Sequence, residues 1–257
     1  MTAPRERSVA LSGGPVELIE WPGSATSAPL VLLHEGLGSA RLWRSLPAEL
    51  AERTGRTTVA WSRHGYGGSA VVTESRPPTY MHQEALVVLP ELLAAVGLDA
   101  PVLVGHSDGA SIALIHAGAG RPVSGIVAIA PHVMVEERSL AGIREARERF
   151  ETTDLRNRLA RHHRDPEATF RGWNDIWLSP RFRDWNIEEY LATITAPVLA
   201  IQAADDEYGT LDQVDRIGSA VAGRFERLVL PTGGHSPHVS RSGDVLEAVV
   251  RFVGGLP

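Results

Sequence analysis

Ser107 stands in the pentapeptide Gly105-His106-Ser107-Asp108-Gly109, at the point where "VLVGHSDGASIAL" changes from a β-branched apolar run to a small-residue helical run. A serine hydroxyl is a weak nucleophile at neutral pH. It needs a base, and the base needs a group that orients it. The chain offers both downstream. "LPTGGHSPH" places His235, with His238 close behind, in a glycine-rich loop directly after the last strand pattern, and "AIQAADDEYG" places Asp205 and Asp206 just past another strand. A serine activated in this way attacks a carbonyl carbon, and the oxyanion that forms needs N–H donors aimed at it. One donor is expected from Asp108, the residue after the serine. Another is expected from "LLHEGLGS", the loop after the first apolar strand, where Gly36 and Gly38 let the backbone approach closely.

Each feature also has a plainer explanation. A strand-to-helix turn can carry a serine near the cap without chemistry, and two aspartates after a strand suit a solvated turn. His106 flanks the serine and is kept among the candidate substrate contacts, although neighbours on a sharp turn point apart, which favours a structural role. Two absences narrow the chemistry. There is no cysteine and no lysine, since all 25 basic residues are arginine. Thiolate nucleophiles, disulfides and Schiff bases are excluded, so covalent catalysis must use an oxygen or a histidine nitrogen. No His/Asp/Glu spacing suggests a metal site, and no cofactor is expected. The net charge of −6 argues against nucleic acid as a partner.

Three distant groups can meet only if the fold carries them to one place. "APLVLLHEG", "TTVAWS", "APVLVGHS", "VSGIVAIAP", "APVLAIQAADD" and "FERLVLP" read as strands, alternating with helices such as "SARLWRSLPAELAER", "MHQEALVVLPELLAAVG", "LDQVDRIGSAVA" and "DVLEAVVRFVGG". Fully apolar strands between helices predict an α/β protein with a mainly parallel sheet covered on both faces. The serine, the aspartates and His235 all follow strand ends, so one edge of that sheet collects them. From about 132 to 192 no strand pattern appears, and Trp173, Trp177 and Trp185 cluster there. This segment is expected to be a helical cap inserted between sheet strands, with residues 1–131 and 193–257 forming the core. The N-terminal stretch has no apolar core of signal-peptide length and no segment is apolar enough to span a bilayer, so a cytoplasmic protein without membrane association is expected. A small molecule is the expected partner, with a homodimer left open.

The residues carry a likeness to a known family. The chain resembles the α/β-hydrolase superfamily along essentially its whole length, and most of all the small capped esterases, lactonases and carbon–carbon bond hydrolases. The matching features are His34–Gly38, "RHGYGGS" from Arg63 to Ser69, the serine pentapeptide, "QAADD" and "GGHSPH". The resemblance implies Ser107 as nucleophile, Asp206 rather than Asp205 as the acid, His235 as the base, and Gly36 with Asp108 as oxyanion donors. There are departures too. Glu35 stands where relatives carry glycine, Asp108 where many carry an apolar or amide side chain, and Ser62 where aspartate is common. Glu35 either turns away to pair with an arginine such as Arg63, or meets the substrate as an acid or hydrogen-bond partner. The carboxylate of Asp108 is expected near the helix N-terminus. Trp173 and Trp177 either line an apolar substrate pocket or form the packing core of the cap.

The expected function is therefore hydrolysis of a small ester or lactone through an acyl-enzyme. The alternatives are a carbon–carbon bond hydrolase for a dienoate or diketone, a low-turnover ligand-binding protein of the same fold, and a cofactor-free lyase or oxygenase.

Overall fold

The computed structural model describes residues 3–256. Eight strands form one sheet in the order β1-β2-β4-β3-β5-β6-β7-β8. They are β1 (Arg5–Leu11), β2 (Gly14–Trp21), β3 (Leu30–Leu33), β4 (Thr58–Trp61), β5 (Val102–His106), β6 (Gly125–Ile129), β7 (Val198–Ala203) and β8 (Phe225–Leu230). From β4 through β8 every pairing is parallel, while β1 and β2 form an antiparallel hairpin joined to β4. This is the mainly parallel α/β sheet that the strand and helix pattern predicts, and it agrees with the fold that the resemblance implies.

The central strands are apolar throughout because both faces are covered, and alternate residues serve opposite layers. Leu30, Leu32, Val102 and Val104 pack with α1 (Leu46–Thr54) and α11 (Ser242–Gly254). Val31, Leu33 and Leu103 pack against the other layer, which includes α3 (Leu89–Val96) and α4 (Asp108–Gly118). Helix α4 is buried along almost its whole length, which accounts for its small, unpatterned side chains.

The sequence pattern misses the β1–β2 hairpin. Only alternate residues of β1 near its end are buried, and Arg5, Glu6 and Arg7 occupy an exposed edge strand, where charge discourages further pairing. Two expected helices are also interrupted. The first is a 3-10 turn at Ala40–Trp43 followed by α1, with Arg44 at φ 56° between them. The second consists of α2 (Tyr80–Gln83), a π turn at Glu84–Val88 and α3. Pro90 lacks the N–H that a continuous α ladder would need there.

Between β6 and β7 the chain forms α5 (Glu137–Thr152), α6 (Leu155–Ala160), α7 (Pro166–Trp177) and α8 (Glu188–Leu191), with one isolated bridge, Met134 to Asn186. Helix α9 (Asp212–Ala220) joins β7 to β8, and the short α10 (Pro237–Ser240) precedes α11. No helix among the described residues is long and apolar enough to cross a membrane.

Candidate active site

Ser107 lies between β5 and α4 with φ 52° and ψ −118°, a conformation that side-chain-bearing residues rarely adopt. The flanking glycines make this turn sterically possible. A Cβ on Gly105 would overlap Gly109 and Ala110, and one on Gly109 would overlap the Leu33 carbonyl in β3. Strand and helix therefore cross at backbone contact, and the Ser107 hydroxyl is pushed out at the sheet's carboxyl edge.

His235 comes from the loop between β8 and α10. Its Nε2 lies 2.9 Å from Ser107 Oγ, and its Nδ1 lies 2.9 and 3.0 Å from the two carboxylate oxygens of Asp206. A carboxylate accepts, so Nδ1 carries the proton and Nε2 is free to accept from the serine. Asp206 is fully buried. It also accepts from Gln202 Nε2 at 3.1 Å and from the N–H of Tyr208 at 2.8 Å. Burial alone would raise its pKa, but the hydrogen bonds and charge of His235 and the Tyr208 N–H hold it below the ordinary value. Burial alone would lower His235, yet the Asp206 hydrogen bond and charge raise it above its ordinary 6.5. Asp205 acts elsewhere. Its Oδ1 accepts from the N–H groups of Gly233 and Gly234, both at 2.8 Å, which fixes the histidine loop. Glu207 accepts from His235 N–H at 2.9 Å.

The loop after β3 is held by one buried arginine. Arg63 Nη2 donates to the Glu35 carbonyl at 2.9 Å and sits 3.3 Å from the His34 carbonyl. The Glu35 carbonyl shares a peptide plane with Gly36 N–H, and the two point in opposite directions. Arg63 thus orients the amide of Gly36. The indole of Trp173, from α7, lies against Gly36 so closely that a Cβ there would overlap it. Asp108 opens α4, so its N–H belongs to the first turn, which has no intrahelical acceptor. Its carboxylate does not cap that turn. It is buried 3.9 Å from Arg63 Nη2 and accepts from Tyr80 Oη at 2.6 Å, and Tyr80 Oη in turn accepts from Trp177 Nε1 at 3.0 Å. Ser62, where an aspartate is common, donates to Glu17 Oε2 at 2.8 Å, so β2 supplies a carboxylate there.

A cavity of about 230 Å³ opens over Ser107 and His235. Gly36, Trp173, Trp177 and Glu35 reach it, as do Leu37, Ile143 and Tyr208. Trp173 and Trp177 also pack in the core under α5–α8, so wall and packing core are the same side chains. Trp185 stays behind, stacked on Phe182. A second cavity, about 270 Å³ and lined by Arg76, Arg171 and Arg181, lies away from these groups.

Two expectations need correction. Glu35 does not pair with Arg63, whose guanidinium is turned to backbone carbonyls. Its Oε2 lies 3.3 Å from His106 Nδ1, and its side chain is 28% exposed. His106 is not a substrate contact: its ring is fully buried behind the His235 loop and does not line the cavity. The turn points it away from the serine hydroxyl and into the layer that contains Trp43 and His238.

The residue pattern also passes over His132 and Glu207, which line the cavity. His132 follows β6 as the other site groups follow their strands, and that register is the available signal. Burial and the charge of nearby His235 push its pKa down to about 3.

Comparison with known proteins agrees with this architecture. The model of the alpha/beta hydrolase family matches residues 30–249. A proline iminopeptidase of Lactobacillus delbrueckii subsp. lactis is 34% identical over 95 residues, which is 37% of this chain and 32% of that protein. The matched segment thus spans about a third of that relative's length. Among solved structures, a proline iminopeptidase of Mycobacterium smegmatis superposes with a TM-score of 0.79 at 18% identity, covering 97% of this chain and 98% of the other. An esterase from Exiguobacterium antarcticum gives 0.74 at 16% identity over 98% and 100%. These structural likenesses speak to fold.

Proposed function

The chain belongs to the alpha/beta hydrolase family, and from that premise we propose that it is a serine hydrolase acting on a small acyl substrate through an acyl-enzyme on Ser107. The observation that carries the proposal is the unbroken line from Ser107 Oγ through His235 to Asp206, with contacts of 2.9 Å at both ends. His235 Nε2 takes the hydroxyl proton as Oγ attacks the carbonyl carbon. Asp206 holds the tautomer and stabilises the imidazolium that forms. The N–H groups of Gly36 and Asp108 receive the oxyanion. The imidazolium then protonates the leaving group, and water, activated by the same imidazole, releases the acid.

In this reading residues 132–192 act as the cap. Trp173, Trp177, Leu37 and Ile143 hold the apolar part of the acyl group, and Glu35 faces its polar part. The ionisable groups lining the cavity are Glu35, Glu207, His132, His235 and Tyr208, with no arginine among them. A dienoate would bring its carboxylate against two others, so the ester or lactone reading is preferred to carbon–carbon cleavage. The same two carboxylates favour a second reading. An acyl group bearing an amine would suit them and the two indole faces, and proline iminopeptidases stand among the relatives.

Both readings are tested with short-chain aryl esters beside aminoacyl anilides, each against Ser107→Ala. Turnover of either set that falls by about 10³-fold or more in Ser107→Ala supports the nucleophile. Hydrolysis that persists in the variant removes it. The preferred set decides between the readings.

A further inference from the structure

Besides His235, the site contains histidines whose protonation is fixed by the partners they touch. His34 Nε2 accepts from Arg63 N–H at 3.1 Å, and its Nδ1 faces the Glu35 carbonyl at 2.7 Å. One partner donates and the other accepts, so His34 is a neutral imidazole with its proton on Nδ1. His163, in the turn after α6, behaves alike: Nδ1 accepts from Gly67 N–H and Nε2 donates to the Leu37 carbonyl, both at 3.0 Å.

His106 is different, because neither of its partners is a backbone N–H. Its Nε2 is 2.7 Å from the His235 carbonyl, and its Nδ1 is 3.3 Å from Glu35 Oε2. A carbonyl cannot donate, so Nε2 carries a proton. At Nδ1 there are two satisfactory arrangements. Either the ring is an imidazolium against an ionised Glu35, or a protonated Glu35 donates to a bare Nδ1. Both arrangements place two protons over the ring and the carboxyl group, and both leave the pair neutral overall. The third arrangement, an ionised Glu35 facing a bare nitrogen lone pair, is repulsive in a ring that is fully buried. The ends of the bridge matter equally. Glu35 immediately precedes Gly36, and the carbonyl that His106 holds belongs to His235 itself.

We infer that Glu35 and His106 are a proton-sharing positioning pair that ties the backbone of the catalytic histidine to the loop presenting the Gly36 amide. The inference rests on the Ser107–His235–Asp206 reading. The pair does not exchange protons with substrate. It keeps the base and the oxyanion donor in register. The charged and titratable groups facing it are His34, Arg63, His132, His163, His235 and His238. Burial alone would raise the carboxyl of Glu35, but the hydrogen bond and charge of His106 hold it well below the usual carboxylate range.

The test joins kinetics with ¹⁵N-histidine NMR on the full chain. Glu35→Ala should lower kcat by about tenfold or more. Glu35→Gln places an amide N–H opposite Nδ1, which then needs no shared proton. It should restore most of kcat. By NMR near neutral pH, the parent should show one ring with a protonated Nε2 and a shared proton at Nδ1. In Glu35→Gln that Nδ1 should be bare. The pair is overturned if Glu35→Ala keeps the parent's kcat, if Glu35→Gln is as impaired as the alanine variant, or if His106 Nε2 carries no proton. Should Glu35→Ala fail to fold, the kcat and NMR of Glu35→Gln decide alone. A Ser107→Ala enzyme that still hydrolyses would defeat the triad reading instead, while the NMR result would still report on the pair.

Discussion

A protonated imidazole cannot accept the Ser107 proton, so the acid limb of kcat/KM should follow His235. Asp206 raises the pKa of that imidazole above 6.5, and activity should therefore fall as pH drops through a midpoint above that value. Asp206→Asn should move the midpoint downward and reduce kcat by roughly 10³–10⁴-fold, because the imidazole loses both its charge partner and its enforced tautomer. A midpoint that stays in place would remove Asp206 from this role. At this scale the sequence is informative about residue types and weak on partners. Adjacent Asp205 and Asp206 cannot be told apart by composition. The turn after β7 sends one to the Gly233 and Gly234 amides and the other to the imidazole. The expected partner of Glu35 fails for a related reason. Arg63 looks available in a sequence, but its guanidinium is turned to two main-chain carbonyls.

Secondary-structure elements decide whether these side chains meet. Five strands are legible because largely apolar runs of four to six residues are buried on both faces, while β8 is legible from its apolar ending although it is a partly exposed edge strand carrying Glu226 and Arg227. The β1–β2 hairpin is not, since the edge strand β1 and its neighbour β2 carry charges that mask their period. Arg63, just past β4, connects the two arms of the proposed oxyanion site. It holds the Glu35 carbonyl on one side and lies 3.9 Å from the Asp108 carboxylate on the other. A lysine presents a single point charge in place of a planar fork. Arg63→Lys should lower kcat by about ten- to a hundredfold, with a smaller change in KM, as the Gly36 amide loses its orientation. Steady-state kinetics on the better aryl ester would check this. A loss of kcat matched by the loss of folded protein in thermal unfolding would mean that the arginine serves general folding.

The molecule as a whole carries a cost of burying imidazoles. Burial, with the charges of neighbouring histidines, pushes His132 and His238 down to about 3, so both remain neutral in the fold. In the unfolded chain they charge below about 6.5. Their stability is thus complete above pH 6.5 and is lost as pH falls toward 3, at about 2 kcal/mol per ring by pH 5. Urea unfolding should show this decline between about pH 7 and pH 5, and His238→Gln should remove about 2 kcal/mol of it at pH 5, with His34, His82, His116 and His163, also held below their ordinary values by burial, adding to the rest; an unchanged slope would contradict the burial account. The central claim is that one hydroxyl in this chain becomes a nucleophile through its neighbours. Intact-protein mass spectrometry after treatment with an organophosphorus fluoridate tests that most directly. We predict one adduct per chain, mapped by peptide digestion to Ser107, absent in Ser107→Ala and strongly slowed in His235→Ala. Adduct formation on another residue, or an equal rate without His235, would contradict it.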